Sequence, residues 1–259
     1  MPYSTTGLYY EHGRRERDPG GPLVILLHGL SGTGAVWRGV TDILDARWPG
    51  SWVAPDFRGH GRSPHADRYG IAMHAADIAG SVGDADDIYV VGQSMGGQCA
   101  MMLASATFGF APKAVLTIGV AVDWGNEARQ RIDRLVHTPV RYFDTQIEAR
   151  ERFLLVNGLQ GFVDPQSDIA TSGIRQENGK WRLSADNRAA MVAVASTRLI
   201  HAAAVSPIIL ARGQHDPVVT SEEHKSLDPD CISIEGCGHN AHVERPDQIW
   251  RLLQAAAGL

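Results

Sequence analysis

The chain has 259 residues, 44% hydrophobic and 20% charged, with a formal net charge of −5. That length suits one large α/β domain, or a core domain carrying an insertion. The balance is ordinary for a globular protein and leaves no basic surface of the kind nucleic acid requires. Glu11, Arg14, Arg15, Glu16, Arg17 and Asp18 break up the first twenty residues with charge, so no secretory leader is expected there. The longest apolar stretches, around Leu23–Leu27 and residues 114–122, are too short to cross a bilayer as helices. Cys99, Cys231 and Cys237 are odd in number and lack a framework spacing; a cytoplasmic location, with reduced thiols, is the expectation.

In chain order, Leu23–Leu27 (LVILL) reads as a fully buried strand ending at His28-Gly29. A helix-like segment covers 35–46. A short strand at 52–54 ends at Pro55-Asp56, and a second helix-like segment covers 74–81. Residues 88–91 (IYVV) form the next strand, stopping at Gly92. A helix follows over 95–106, then a strand over 115–118 that ends near Gly119. From Trp124 to about Val205 no buried strand stands out. Turn material appears at Asp164-Pro165, Ser172-Gly173 and Asn178-Gly179, and aromatics are scattered between. The interval reads as a mostly helical insertion and a lid candidate, since long insertions in compact domains are usually functional or disordered. The rhythm resumes with strands at 207–210 and 231–234 and helices at Ser221–Leu227 and Pro246–Ala257. Continuous aliphatic runs of this length fit central parallel strands, and their alternation with helices implies a sheet covered on both faces. The expected division is a core of residues 1–123 and 206–259 with a lid over 124–205.

Gly92-Gln93-Ser94-Met95-Gly96-Gly97 stands between a strand and a helix. This is Gly-x-Ser-x-Gly in the strand–turn–helix setting it needs. The sharp turn makes Ser94 strained and exposes its hydroxyl, and Gly92 and Gly96 leave room for it. The Met95 amide opens a helix, where unpaired N–H groups stabilise developing negative charge. A serine needs a base near neutral pH, and imidazole is the side chain suited to it.

With these segments the chain resembles the α/β-hydrolase superfamily over nearly its whole length outside the insertion. His28-Gly29-Leu30 is similar to that family's His-Gly element, which implies the Leu30 N–H as second oxyanion donor. Asp56-Phe57-Arg58-Gly59-His60-Gly61-Arg62-Ser63 resembles a structural turn in which Asp56 and Arg58 tie the backbone and His60 faces solvent. Gln214-His215-Asp216-Pro217 resembles the acid loop, and Gly236-Cys237-Gly238-His239 the histidine loop. The resemblance therefore implies Ser94 as nucleophile, His239 as base and Asp216 as acid, in the expected order. Asp123, just beyond an earlier strand, is the alternative acid. His242 supports the loop, His215 is near the surface, and Cys237 is a small buried residue of the loop. His239 and His242 lack a third ligand and zinc-type spacing, so no metal is expected, nor any cofactor.

The insertion leaves the core beside the strand C-termini, where ligands of open α/β sheets bind. Trp37, Trp124, Phe143, Phe153, Phe162, Trp181 and Met191 are candidates for an apolar pocket, with Arg150 and Arg152 solvated. The expected activity is hydrolysis of a carboxylic ester or lactone of a small, largely apolar substrate through an acyl-enzyme. C–C bond hydrolysis, thioester cleavage and perhydrolase chemistry use the same parts and stay open. So does a non-catalytic receptor of the same fold. The only partners expected are that small molecule and water, with no nucleic acid and no membrane.

Overall fold

The computed structural model describes residues 4–13, 21–82 and 87–259. Arg14, Arg15, Glu16, Arg17 and Asp18, named above for their charge, lie outside the described residues. The chain begins with β1 (Tyr10–His12) and β2 (Leu23–Leu27). A short 3₁₀ turn (Gly34–Trp37) leads into α1 (Arg38–Arg47), then β3 (Ser51–Pro55), α2 (Ile71–Val82), β4 (Ile88–Gln93), α3 (Met95–Leu103) and β5 (Ala114–Ile118). The insertion follows: α4 (Asn126–His137), β6 (Tyr142–Phe143), α5 (Gln146–Val156), α6 (Asp168–Ser172), β7 (Ile174–Glu177), β8 (Lys180–Leu183), a 3₁₀ segment (Asn187–Val194) and α7 (Thr197–Ala202). The core resumes with β9 (Ile208–Gly213), α8 (Ser221–Leu227), β10 (Ile232–Ile234), α9 (Ala241–Glu244) and α10 (Pro246–Ala257).

Seven strands form one sheet in the order β1-β3-β2-β4-β5-β9-β10. All neighbours are parallel except β1, which pairs antiparallel with β3 at the edge. Every residue of β2 and β5 is buried. Period-two geometry divides β2 between two cores. Val24 and Leu26 pack with Trp37, Leu44, Ile249 and Trp250, the side covered by α1 and α10. Leu23, Ile25 and Leu27 pack with Phe57, Ile78, Cys99 and Met101, the side covered by α2 and α3. Pro246 opens α10, and Gly258 closes it in the left-handed region at φ +69°, the arrangement expected of a helix with those termini.

Residues 124–205 separate β5 from β9 in the chain, although the two strands pair directly in the sheet. Beside its helices the segment carries a small antiparallel sheet, β6-β8-β7. This sheet leaves no strand signature in the sequence because its strands are short and polar: β7 is IRQE and β8 is KWRL. The Asn178-Gly179 pair read there as a turn is the hairpin connection between them, with both residues at positive φ, as two-residue hairpins require. Phe153, Leu154, Leu159 and Ile174 of the insertion join the same core cluster as Trp37 and Trp250. Among the described residues, no helix is long and apolar enough to cross a membrane.

Candidate active site

β4 delivers Ser94 at its C-terminal end. The residue has φ +52° and ψ −116° at the mouth of α3, a conformation that costs a residue with a Cβ and persists only when surroundings enforce it. Here the enforcement is visible. The Ser94 N–H donates to the Ile118 carbonyl at 2.8 Å. A Cβ on Gly92 would stand 2.3 Å from the Gly96 carbonyl oxygen, and one on Gly96 would stand 2.2 Å from that of Leu27. The turn is packed so closely that only glycine fits at either side. Neither the Met95 N–H nor the Leu30 N–H meets a protein acceptor among the described residues.

β9 and β10 end in the loops that carry Asp216 and His239. His239 Nδ1 lies 2.9 Å from Asp216 Oδ2. The Asp216 side chain is fully buried, and His239 is about a fifth exposed. Burial alone would raise the Asp216 carboxyl, but its hydrogen bond and charge interaction with His239 and the amides of Val218 and Val219 outweigh that and hold its pKa below the ordinary value. Those amides donate to Asp216 Oδ1 at 2.8 and 3.2 Å. An ionised carboxylate only accepts, so Nδ1 carries the proton and the Nε2 lone pair of a neutral ring is free. No hydrogen bond links Ser94 Oγ to His239 in this structure; such bonds commonly tighten only around substrate. The alternative acid, Asp123, is exposed and engages Arg198 at 2.5 Å, not the histidine.

Three supports were not singled out from sequence. The Gln93 side chain donates to the His239 carbonyl at 3.2 Å. Glu244 accepts from the Gly238 N–H at 2.8 Å, and Asn240 donates to the Asn157 carbonyl of the insertion at 2.8 Å. Gly119, read only as a strand end, sits at φ +61°, where a Cβ would come 2.9 Å from Asp216 Oδ2 and 3.0 Å from His239 Nδ1. The turn after β3 also differs from expectation. Asp56 does tie backbone, accepting from Gly34 and Arg62 N–H at 2.7 and 2.9 Å. Arg58 instead pairs with Asp77 of α2. His60 does not face solvent: it is fully buried, its ring 5.1 Å from that of His28.

Ser94 and His239 open into one cavity of about 880 Å³, lined on the core side by Gly29, Leu30, Gln93, Asn240 and His242. The insertion supplies the opposite wall, from α4, the segment 138–143, α5 and β8. Of the expected pocket aromatics, Phe143 lines it. Trp37 does not, because it is fully buried with its ring against His242 at 4.5 Å. Trp124 packs with Leu30, Ile132 and Ala190 beneath α4. Phe153 is core, pressed on Gly173. Trp181 is the cross-strand neighbour of Phe143 and packs on the main core. Phe162 and Met191 are exposed outside the lining, at 56% and 44%. The wall is therefore not mainly aromatic: Leu135, Val140, Val156 and Leu183 alternate with Arg131, Arg141, Arg152 and Arg182. Arg152, expected in solvent, is one of them, while Arg150 turns to Pro165 and Gln166. Cys99 and Cys237 are buried, Cys231 is half-buried, and all three are free thiols.

Comparison with known proteins follows the same lines. The model of the alpha/beta hydrolase family matches residues 24–252. Lipase LipV of Mycobacterium tuberculosis is 27% identical over 264 aligned residues, covering 93% of this chain and 95% of its own. Among solved structures, E-2-(acetamidomethylene)succinate hydrolase superposes with a TM-score of 0.80 at 19% identity, over 97% of this chain and 95% of that one. A thioesterase domain from the curacin biosynthetic pathway gives 0.76 at 22% identity, over 95% and 94%.

Proposed function

The chain belongs to the alpha/beta hydrolase family, and from that premise we propose that it hydrolyses a carboxylic ester or lactone through an acyl-enzyme on Ser94. The observation that carries the reading is the Asp216–His239 pair at 2.9 Å, facing the cavity into which the strained Ser94 also opens. Its lipase relative from Mycobacterium tuberculosis, matched almost end to end, supports an ester over the other bonds that such a site cleaves.

In this reading Ser94 Oγ attacks the acyl carbon while His239 Nε2 takes its proton. The carbonyl oxygen gains charge and is met by the Leu30 and Met95 amides, which have no other acceptor among the described residues; preorganised donors of this kind are usually the largest electrostatic contribution to such catalysis. The C–O bond to the alcohol breaks, and His239 returns the proton to the leaving oxygen. Water, deprotonated by the same ring, then attacks the acyl carbon; the bond to Ser94 Oγ breaks, His239 returns the proton to that oxygen, and the acid leaves with Ser94 restored. Asp216 keeps the imidazole in the useful tautomer and stabilises its charged form. Residues 124–205 act as a cap that shapes the acyl or alcohol site. Their ties to the core, Thr33 to Ser172 at 2.6 Å and Asn157 to the Ser31 carbonyl, favour a fixed wall.

The test is turnover of a short activated aryl ester, with labelling of Ser94 by a fluorophosphonate. Ser94→Ala should fold normally and lose on the order of 10⁴- to 10⁶-fold in rate. A well-folded wild type that neither turns over the ester nor takes the label would favour the receptor reading.

A further inference from the structure

The wall facing Ser94 carries charge of one sign. Among the described residues, Arg131, Arg141, Arg152 and Arg182 line the cavity and no aspartate or glutamate does, in a chain whose net charge is −5. Arg182 is held by the protein: its guanidinium donates to the Leu183 and Ala185 carbonyls and to Glu177 at 3.0–3.3 Å. The other three are not. Among the described residues, Arg131 and Arg152 donate to no protein acceptor, and Arg141 only lies over the Phe143 ring, 4.9 Å from its centre. Elsewhere Arg58, Arg188 and Arg198 are paired with Asp77, Asp186 and Asp123. A single solvated arginine is ordinary. Three without carboxylate partners around one concave site, half-apolar and holding a nucleophile, are different: low-dielectric walls focus their field into the cavity.

We propose that the substrate carries an anionic group, a carboxylate or a phosphate, which Arg131, Arg141 and Arg152 bind while the scissile carbonyl lies at Ser94. This rests on the hydrolase reading above and adds the substrate's charge to it. The guanidinium fork matches the oxygens of either anion. Arg131 and Arg141 are exposed beside Leu135 and Val140 and form the rim, and half-buried Arg152 lies inside it. The anionic group changes no bond. It orients the acyl or alcohol chain, and its attraction is felt before and during the chemistry, so the preference falls mainly in KM.

The experiment compares mono-(4-nitrophenyl) glutarate, which keeps a free terminal carboxylate, with its methyl-capped diester. The free acid should show a kcat/KM at least about tenfold higher at low ionic strength, as a charge-assisted contact implies, and the ratio should shrink as salt is raised. In the combined R131Q, R141Q and R152Q variant the ratio should fall to about one, while Arg150→Gln, on the other side of α5, should keep it. Stronger competition by glutarate than by inorganic phosphate assigns a carboxylate, and the reverse a phosphate. A free acid hydrolysed no faster than the capped ester, or a preference surviving in the triple variant, overturns the proposal. Failure of the hydrolase reading looks different: neither ester is cleaved and Ser94 takes no label. Calorimetry with glutarate and phosphate then decides the anion site alone, which stands if binding is lost in the triple variant and falls if the wild type binds neither.

Discussion

Ser94, His239 and Asp216, the proposed triad, are each held by close contacts: the Ile118 carbonyl, the Gln93 side chain, and the Val218 and Val219 amides; such a site is sensitive to small changes. Gly119 is the sharpest case. Alanine there meets both positive φ and the two edges of the proposed acid–base pair at 2.9–3.0 Å, so Gly119→Ala should retain the fold but cut kcat at least about tenfold, since small misplacements of catalytic groups are costly. Wild-type kcat in a folded variant would show that the pair has slack. Asp216→Asn should be severe, because an amide no longer selects the Nδ1–H tautomer; losses of about 10⁴ are typical. Asp123→Asn should change kcat little, because it only breaks an exposed contact to Arg198. The opposite ranking would reassign the acid. The proposed triad residues could be picked out from sequence because each sits in a short motif with glycine neighbours. Gly119, Gln93 and Asn240 could not. Their roles depend on contacts between segments far apart in the chain, such as Gln93 with His239, and no local pattern records those.

At the level of elements, the main sheet was legible and the strands within residues 124–205 were not. Buried parallel strands are continuous aliphatic runs, and β2, β4 and β5 announce themselves as such. Edge strand β1 and the hairpin β7–β8 carry charge and half-exposed faces, so their pairing is decided by tertiary context. The same logic explains why aromatics chosen by size alone were poor guides to the cavity. Phe143 and Phe153 lie ten residues apart in one insertion, yet one lines the site and the other is fully buried behind it. Phe143→Ala should therefore move the ratio of kcat/KM between short and long acyl esters by roughly tenfold with a modest loss of stability. Phe153→Ala should leave that ratio unchanged and cost about 3–5 kcal/mol of stability, as cavities in packed cores do. Chain-length profiles and thermal melts of both variants separate these outcomes. A shared change in selectivity would mean that the insertion moves as one body, and that its core and its wall cannot be told apart.

Across the whole molecule, burial of neutral histidines sets a limit on the acid side. His28, His60, His74 and His242 are all buried. Loss of solvation lowers His60 to about 4 and His74 and His242 to about 3, and burial together with neighbouring histidines holds His28 well below its ordinary value. His28 has a further reason to stay neutral: its Nε2 accepts from the Phe57 N–H at 3.0 Å and its Nδ1 donates to the Gly29 carbonyl at 2.7 Å, next to the proposed oxyanion amide of Leu30. In the unfolded chain these rings titrate near 6.5. Between that value and their folded values only the unfolded state takes up the proton, so stability present above about pH 6.5 is lost as pH falls. Each ring contributes about 1.4 kcal/mol per pH unit in that window. Asp56 opposes them: burial raises it to about 6, so the folded state gains a proton between about 6 and 3.8 and offsets roughly one histidine. The surplus predicts a Tm about 10 °C or more lower at pH 5 than at pH 7.5. Among the described residues, His74 has no hydrogen-bond partner on either nitrogen and it packs against Phe57, so His74→Leu should keep the fold and flatten the acid limb by about one proton. A melting temperature flat from pH 7.5 to 5, or a His74→Leu variant with the wild-type slope, would mean these rings are already charged or that the protein hydrates them before it unfolds.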